Sequence, residues 1–226
     1  MCGRFTLTIS WDDLCTWFNL EQSEIEYLPR FNIAPTQSVP VIIDHEGKRL
    51  VVAMRWGLIP FWAKDMSIGN KMINARAETL EDKPSFQKLI QQKRCLVPAD
   101  GFYEWQRLSG RKRPYRIALH NGGLFSFAGL WDAWKSPEGK TIYSFTIITT
   151  PANSLVAPIH ERMPAILTKA EEKIWLDHTV KEKGRIKELL KPYPSEEMTI
   201  YEVSPRVNAP GNDFPDCVIP VQKIFE

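Results

Sequence analysis

Four residues of this chain have types suited to covalent, proton-transfer or hydrogen-bonding chemistry and lie in suggestive contexts: Cys2, Glu104 and His160 for the first two, Asn74 for the last. Cys2 directly follows the start Met, and a side chain that small permits removal of the Met. The product would carry an α-amine of pKa about 7.7–8.0 and a thiol of about 8.5 on one residue. Both would be partly nucleophilic near neutrality. The amine condenses with an aldehyde to an imine, and the thiol then closes on the imine carbon to give a five-membered thiazolidine. Against this stands the plainer reading, in which Cys2 is only a small residue beside a start codon.

The other three candidates admit two readings each. In "INARAET", an extended backbone would put Asn74, Arg76 and Glu78 on one face and Ala75 and Ala77 on the other. That face suits a polar ligand or phosphate, or simply solvent. In "PADGFYEW", Asp100-Gly101 signals a turn, and Glu104 then sits among Phe102, Tyr103 and Trp105. A carboxylate buried there must be paired or protonated, and such desolvation would tune it for proton transfer. An outward-facing Glu on an edge strand is the alternative. In "APIHERMPAIL", His160 is either a general acid/base or a satisfied core residue, with Arg162 on its side of an extended backbone. In "RWGLIPFWAKD", Trp56, Phe61 and Trp62 beside Arg55 and Lys64 could stack nucleotides and hold phosphate, or pack a core.

The elements that must position these residues are short. "SWDDLCTWFNL" reads as a helix with Ser10 as N-cap and acidic residues in its first turn. "SFQKLIQQ", "TKAEEKIWLDH" with a capping box from Thr168 and Glu171, and "KEKGRIKELLK" read as three more. Between them lie strand-like runs: "KRLVVAMRWG", "KRCLVPA", "GFYEWQRL", "RPYRIALH", "GLFSFAGLWDAW" and "TIYSFTIITT". Their close spacing favours antiparallel pairing. The expectation is one α+β domain over residues 1–226, with a curved, mainly antiparallel sheet or open barrel and flanking helices.

Composition narrows the classes. With 29 basic and 27 acidic side chains the net charge is only +2, so any nucleic-acid contact must come from a local patch. No apolar run approaches the roughly 18 residues of a membrane span, and no secretory leader is visible. The four cysteines and four histidines show no metal-ligand spacing. A monomer in the reducing cytoplasm, without metal or cofactor, is expected.

Taken in order, "MCGRF", "NIAPTQ", "RWGLIPFWAKD", "INARAET", "RCLVPADGFYEW", "IHERMPAIL" and "VSPRVN" resemble the SRAP family, the SOS response-associated peptidase domain. The resemblance runs from Cys2 to about Asn208. It implies a protein that senses abasic sites in single-stranded DNA and cross-links to them through a thiazolidine at the mature N-terminal Cys2. It implies that Asn74 orients the terminal residue, that Glu104 handles protons near the amine and imine, and that His160 acts as general acid/base. It assigns Arg4, Arg76 and Arg162 to phosphates, and Trp56, Trp62 and Trp105 to the bases around the lesion. When acting, the protein would associate with the nucleoid. The family name also implies a peptidase, which could be removal of its own Met1. Two other classes stay open: a cysteine hydrolase using Cys2, His160 and Asn74, and a non-covalent reader of modified DNA.

Overall fold

Aromatic and β-branched runs pair into two sheets that meet at the start of the chain. The computed structural model describes residues 2–20, 27–108 and 110–221. In chain order these form β1 (Phe5–Leu7), α1 (Trp11–Phe18), β2 (Arg30–Ile33), β3 (Ser38–His45), β4 (Lys48–Trp56), β5 (Asn74–Arg76), α2 (Pro84–Gln87), α3 (Leu89–Gln92), β6 (Arg94–Ala99), β7 (Gly101–Leu108), β8 (Arg111–Leu119), β9 (Phe125–Lys135), β10 (Thr141–Pro151), β11 (Arg162–Pro164), β12 (Ile166–Leu167), α4 (Lys169–Leu176), α5 (Lys183–Glu188) and β13 (Met198–Glu202). Met1 lies outside the described residues.

Strands β10, β4, β3, β6 and β9 follow one another around a barrel, and β9 pairs back onto β10 to close it. Only the β4–β10 contact within the ring is parallel. Short strands β5 and β11 attach to β10, and β12 attaches to β9. The second sheet, in order β13-β8-β7-β1-β2, is antiparallel throughout. The expected α+β class with a mainly antiparallel barrel is therefore the class observed. Closure leaves the ring itself without an unpaired edge.

The helices start where their caps are. Ser10 Oγ accepts from Asp13 N at 3.1 Å, and α1 ends at Asn19 in the left-handed region (φ 52°). Thr168 and Glu171 form the anticipated capping box on α4. "SFQKLIQQ" forms two single turns, α2 and α3, joined at Lys88. No helix among the described residues is long and apolar enough to cross a membrane.

Asp100-Gly101 is not a hairpin turn. β6 ends at Ala99 and β7 starts at Gly101, so the chain passes from the barrel straight into the second sheet. Asp100 is buried at this corner and accepts from Thr8 N at 2.7 Å, Arg116 Nη2 at 3.1 Å and the hydroxyls of Thr6 and Thr8. A Cβ on residue 101 would lie 2.7 Å from the Arg116 guanidinium, which is why glycine occupies the corner.

Between the sheets lies an aromatic cluster. Phe5 meets Trp56 edge-on at 5.1 Å and Phe127 at 5.8 Å, and Trp56 stacks on Phe145 at 6.4 Å. Trp56 is fully buried and its Nε1 donates to Ile73 O at 2.9 Å. This corrects the expectation that Trp56 stacks on nucleotide bases: it is a core residue that anchors Phe5, and through it the start of the chain.

Candidate active site

Cys2 sits three residues before that anchor. Upstream of β1 the chain stays beside β7, where Tyr103 N donates to Arg4 O at 3.0 Å. The side chain of Cys2 is fully buried, and its thiol points to Arg4 O at 3.6 Å. From the barrel side, Asn74 Nδ2 on β5 donates to the Cys2 carbonyl at 2.8 Å. The second residue of the chain is thus fixed at the seam of the two sheets. Burial, reinforced by the charge of Glu104, pushes the Cys2 thiol well above its ordinary pKa. A cysteine hydrolase needs the reverse, a thiol whose ionisation is favoured.

Glu104, on β7, is 3% exposed. Burial raises its pKa from 4.5 to about 7, so near neutrality it can both take and give a proton. The reading of an edge-strand Glu facing solvent does not hold.

His160 follows a turn after β10. Asn153 Oδ1 accepts from Val156 N at 3.0 Å, and His160 N closes on Val156 O at 3.0 Å. Arg162 N donates to His160 Nδ1 at 3.0 Å and Arg162 O lies 3.2 Å from the same nitrogen, so the Arg162 backbone holds the ring at Nδ1. Burial holds the ring below its usual pKa.

Arg4 and Trp105 are held by the chain's last segment. Arg4 Nη1 donates to Asn32 Oδ1 and to Val207 O, both at 2.7 Å, and Nη2 donates to Asn208 O at 3.2 Å. The guanidinium lies 5.8 Å from the Trp105 ring centroid. Trp105 Nε1 donates to Asn208 Oδ1 at 2.7 Å. Asn32, fully buried, directs Nδ2 at the carbonyls of Val207, Ala209 and Asn212 (2.7–3.1 Å). This gives the "NIAPTQ" motif a role: its asparagine ties the N-terminal segment to the 207–212 segment. An open groove results, lined by Arg4, Glu104, Trp105, Arg107, Lys112, His160 and Asn208. The sequence reading did not single out Arg107, Lys112 or Asn208; the basic run from Arg107 to Arg113 was the available signal.

The remaining expectations divide. Arg162 is 9% exposed, with Nη1 and Nη2 on the Glu78 carboxylate at 2.7 and 3.0 Å and Nη2 also on Thr149 O at 2.6 Å. The Arg162 side chain ties β11 to β10 and Glu78, and its N–H donates to His160 Nδ1. The hydrogen bond from Arg162 in turn holds the Glu78 carboxyl below its ordinary pKa. Strand β5 ends at Arg76 and a 3-10 turn follows, so Glu78 does not continue the extended face. Arg76 is exposed, two residues from Asn74. Trp62 is 52% exposed and Phe61 63% exposed on the loop after β4, where Asp132 Oδ2 accepts from Phe61 N at 2.8 Å. Trp62 is not part of the groove lining.

Cys2 is thus buried at the seam of the barrel and the second sheet, near a basic groove with an aromatic wall. The chain belongs to the SRAP family, described as SOS response associated peptidase, whose profile matches residues 1–210. It is 49% identical over 221 residues to the abasic site processing protein YoqW of Bacillus subtilis (strain 168), covering 96% of this chain and 99% of that one. It is 35% identical to the abasic site processing protein HMCES of Xenopus tropicalis, covering 96% of this chain and 78% of that protein. A crystal structure of a protein from Bacteroides thetaiotaomicron superposes with a TM-score of 0.89 at 31% identity, covering 98% of this chain and all of that one.

Proposed function

We propose that this protein captures abasic sites in single-stranded DNA by forming a covalent thiazolidine through Cys2, once Met1 has been removed. The observation that carries the reading is the fixed, buried Cys2, tied by Asn74 at 2.8 Å and flanked by a carboxyl that titrates near neutrality. The names of the relatives, abasic site processing proteins, support the same substrate.

In the proposed sequence the ring-opened deoxyribose presents its C1′ aldehyde. The Cys2 amine adds to it, and the carbinolamine loses water to give an imine. The thiol then adds to the imine carbon, its proton passes to nitrogen, and the ring closes with net loss of one water. Glu104 takes the proton released by the attacking amine and returns it to the departing hydroxyl. His160, held by the Arg162 backbone at Nδ1, donates to the sugar oxygen during ring opening. The thiol stays protonated until the imine has formed, because burial disfavours the thiolate. This order supports amine attack first and argues against hydrolysis through a thioester. Arg4, Trp105 and exposed Arg76 and Trp62 contact the strand around the lesion. A reducing cytoplasm, where DNA is the substrate, would keep the thiol available; Cys2, Cys15, Cys95 and Cys217 are all free.

The test is incubation with an abasic single-stranded oligonucleotide, followed by a denaturing gel and intact mass. The expected adduct has the mass of the protein lacking Met1 plus that of the oligonucleotide, less one water. Cys2→Ala should give only a borohydride-trappable imine, and a non-removable N-terminal tag should abolish the adduct. A thiol-independent, denaturant-stable adduct without reductant would overturn the proposal.

A further inference from the structure

The β7–β8 hairpin carries a charge arrangement that the chemistry at Cys2 does not use. Arg107 on β7 stands directly opposite Lys112 on β8, and both are exposed. Like charges directly opposite across an antiparallel pair disfavour the pairing. Among the described residues neither has a carboxylate partner within salt-bridge distance. Alternation along the strands puts Trp105, Arg107 and Lys112 on one face, and Arg111 and Arg113 on the other. Only the first set lines the groove that contains Glu104 and His160. Arg107 is also near enough to His160 for its charge to oppose protonation of the ring.

We propose that Arg107 and Lys112 form a phosphate-binding pair that holds the nucleic-acid backbone on the β7 flank of the lesion. This rests on the reading of the groove as the DNA site and adds a subsite to it. Arg76 lies on the opposite flank, because Cys2 is held between β5 and the β1–β7 pair. The strand therefore meets cations on both sides of the reacting sugar. Two cations facing each other, with no carboxylate within salt-bridge distance among the described residues, are bridged by a phosphodiester, whose single negative charge offsets their mutual repulsion. At about 3.3 Å per residue, Arg107 is roughly 10 Å along β7 from Glu104, so the contacted phosphate belongs to a neighbouring nucleotide and not to the abasic residue.

Arg111 and Arg113 of the same hairpin, which do not line the groove, supply the control. The double variant Arg107→Gln/Lys112→Gln and the double variant Arg111→Gln/Arg113→Gln remove the same charge from exposed positions of one hairpin. Binding to an undamaged single-stranded oligonucleotide is measured across salt concentrations. For the first variant the log–log salt slope should become shallower by about 0.7, the value for one lost phosphate contact. Its affinity deficit should then be about 2.6-fold larger near 50 mM than near 200 mM salt. The second variant should keep the wild-type slope. Oligonucleotides with the abasic site at the 5′ or the 3′ terminus offer only one flank each, and one of the two should cross-link equally fast with wild type and the first variant. Equal slopes for both variants, whether unchanged or equally shallow, would overturn the subsite. Failure of wild-type protein to form any adduct would instead overturn the cross-linking reading, and the contrast between the two variants on undamaged DNA would still decide the subsite.

Discussion

Replacing Glu104 by glutamine should change the pH dependence of stability in a direction the structure fixes. The carboxyl is 3% exposed and titrates near 7 in the fold against 4.5 ordinarily. The folded state therefore binds more protons than the unfolded state between these values, and stability falls as pH rises through that window. Below it both states are protonated and the group contributes nothing. Above it both are ionised and the full penalty is present. At about 1.4 kcal/mol per pH unit of displacement, the penalty is on the order of 3 kcal/mol. Glutamine is neutral throughout. Urea unfolding of both proteins from about pH 4 to 8 should show the variant gaining stability over wild type by about 3 kcal/mol across the range. Titrations elsewhere cancel in the difference. The cross-linking rate should in parallel lose an inflection near pH 7 in the variant. A stability difference that stays constant from pH 4 to 8 would show that Glu104 is ionised normally, and the proton-transfer argument would fall with it.

The two tryptophans should separate cleanly. Trp56→Ala removes a fully buried ring and should destabilise by about 3–5 kcal/mol in denaturant unfolding. Trp62→Ala should leave stability within about 0.5 kcal/mol and weaken binding to single-stranded DNA by about 1–3 kcal/mol in a fluorescence titration. Arg76→Gln should make the salt slope of DNA binding shallower by about 0.7. Arg162→Gln should leave that slope unchanged while lowering the thermal midpoint, since its guanidinium is held by Glu78 and Thr149. Asn74→Ala removes the 2.8 Å bond to the Cys2 carbonyl and should cost about 1 kcal/mol of stability. Single-turnover adduct formation with this variant should slow, because Cys2 is no longer oriented.

Much of the barrel was legible because β4, β6, β9 and β10 are long aromatic or β-branched runs bounded by turn residues. β3 was hidden by Pro40, which falls where β4 is the paired neighbour and β6 touches only at Ile42. β1, β2 and β13 are too short to show a period and form on partners: β1 on β7, β2 on β1 and β13 on β8. Ring closure through parallel β4 and β10 is a long-range pairing with no local signature. At the site, side-chain types suggested Glu104 and His160, but facing could not be read. Trp56 and Trp62 lie in one motif, and only the packing of β4 sends one inward and leaves the other exposed. Arg162 looked available because its partner, Glu78, is 84 positions earlier.

The clasp between Arg4, Asn32 and the 207–212 carbonyls makes the residues around Cys2 dependent on a segment about two hundred positions further on. On the ribosome Cys2 emerges early, yet the wall that holds Arg4 and Trp105 arrives some two hundred residues later. A nascent chain therefore carries the nucleophile without its groove, and the complete groove forms only when the distant segment docks. Tyr103, Val203, Val207 and Cys217 make the small core on which that docking depends. Joining the two segments in this way couples opening of the corner at Cys2 to loss of a contact between distant positions, and a polypeptide cut short before the clasp holds a cysteine but no groove beside it.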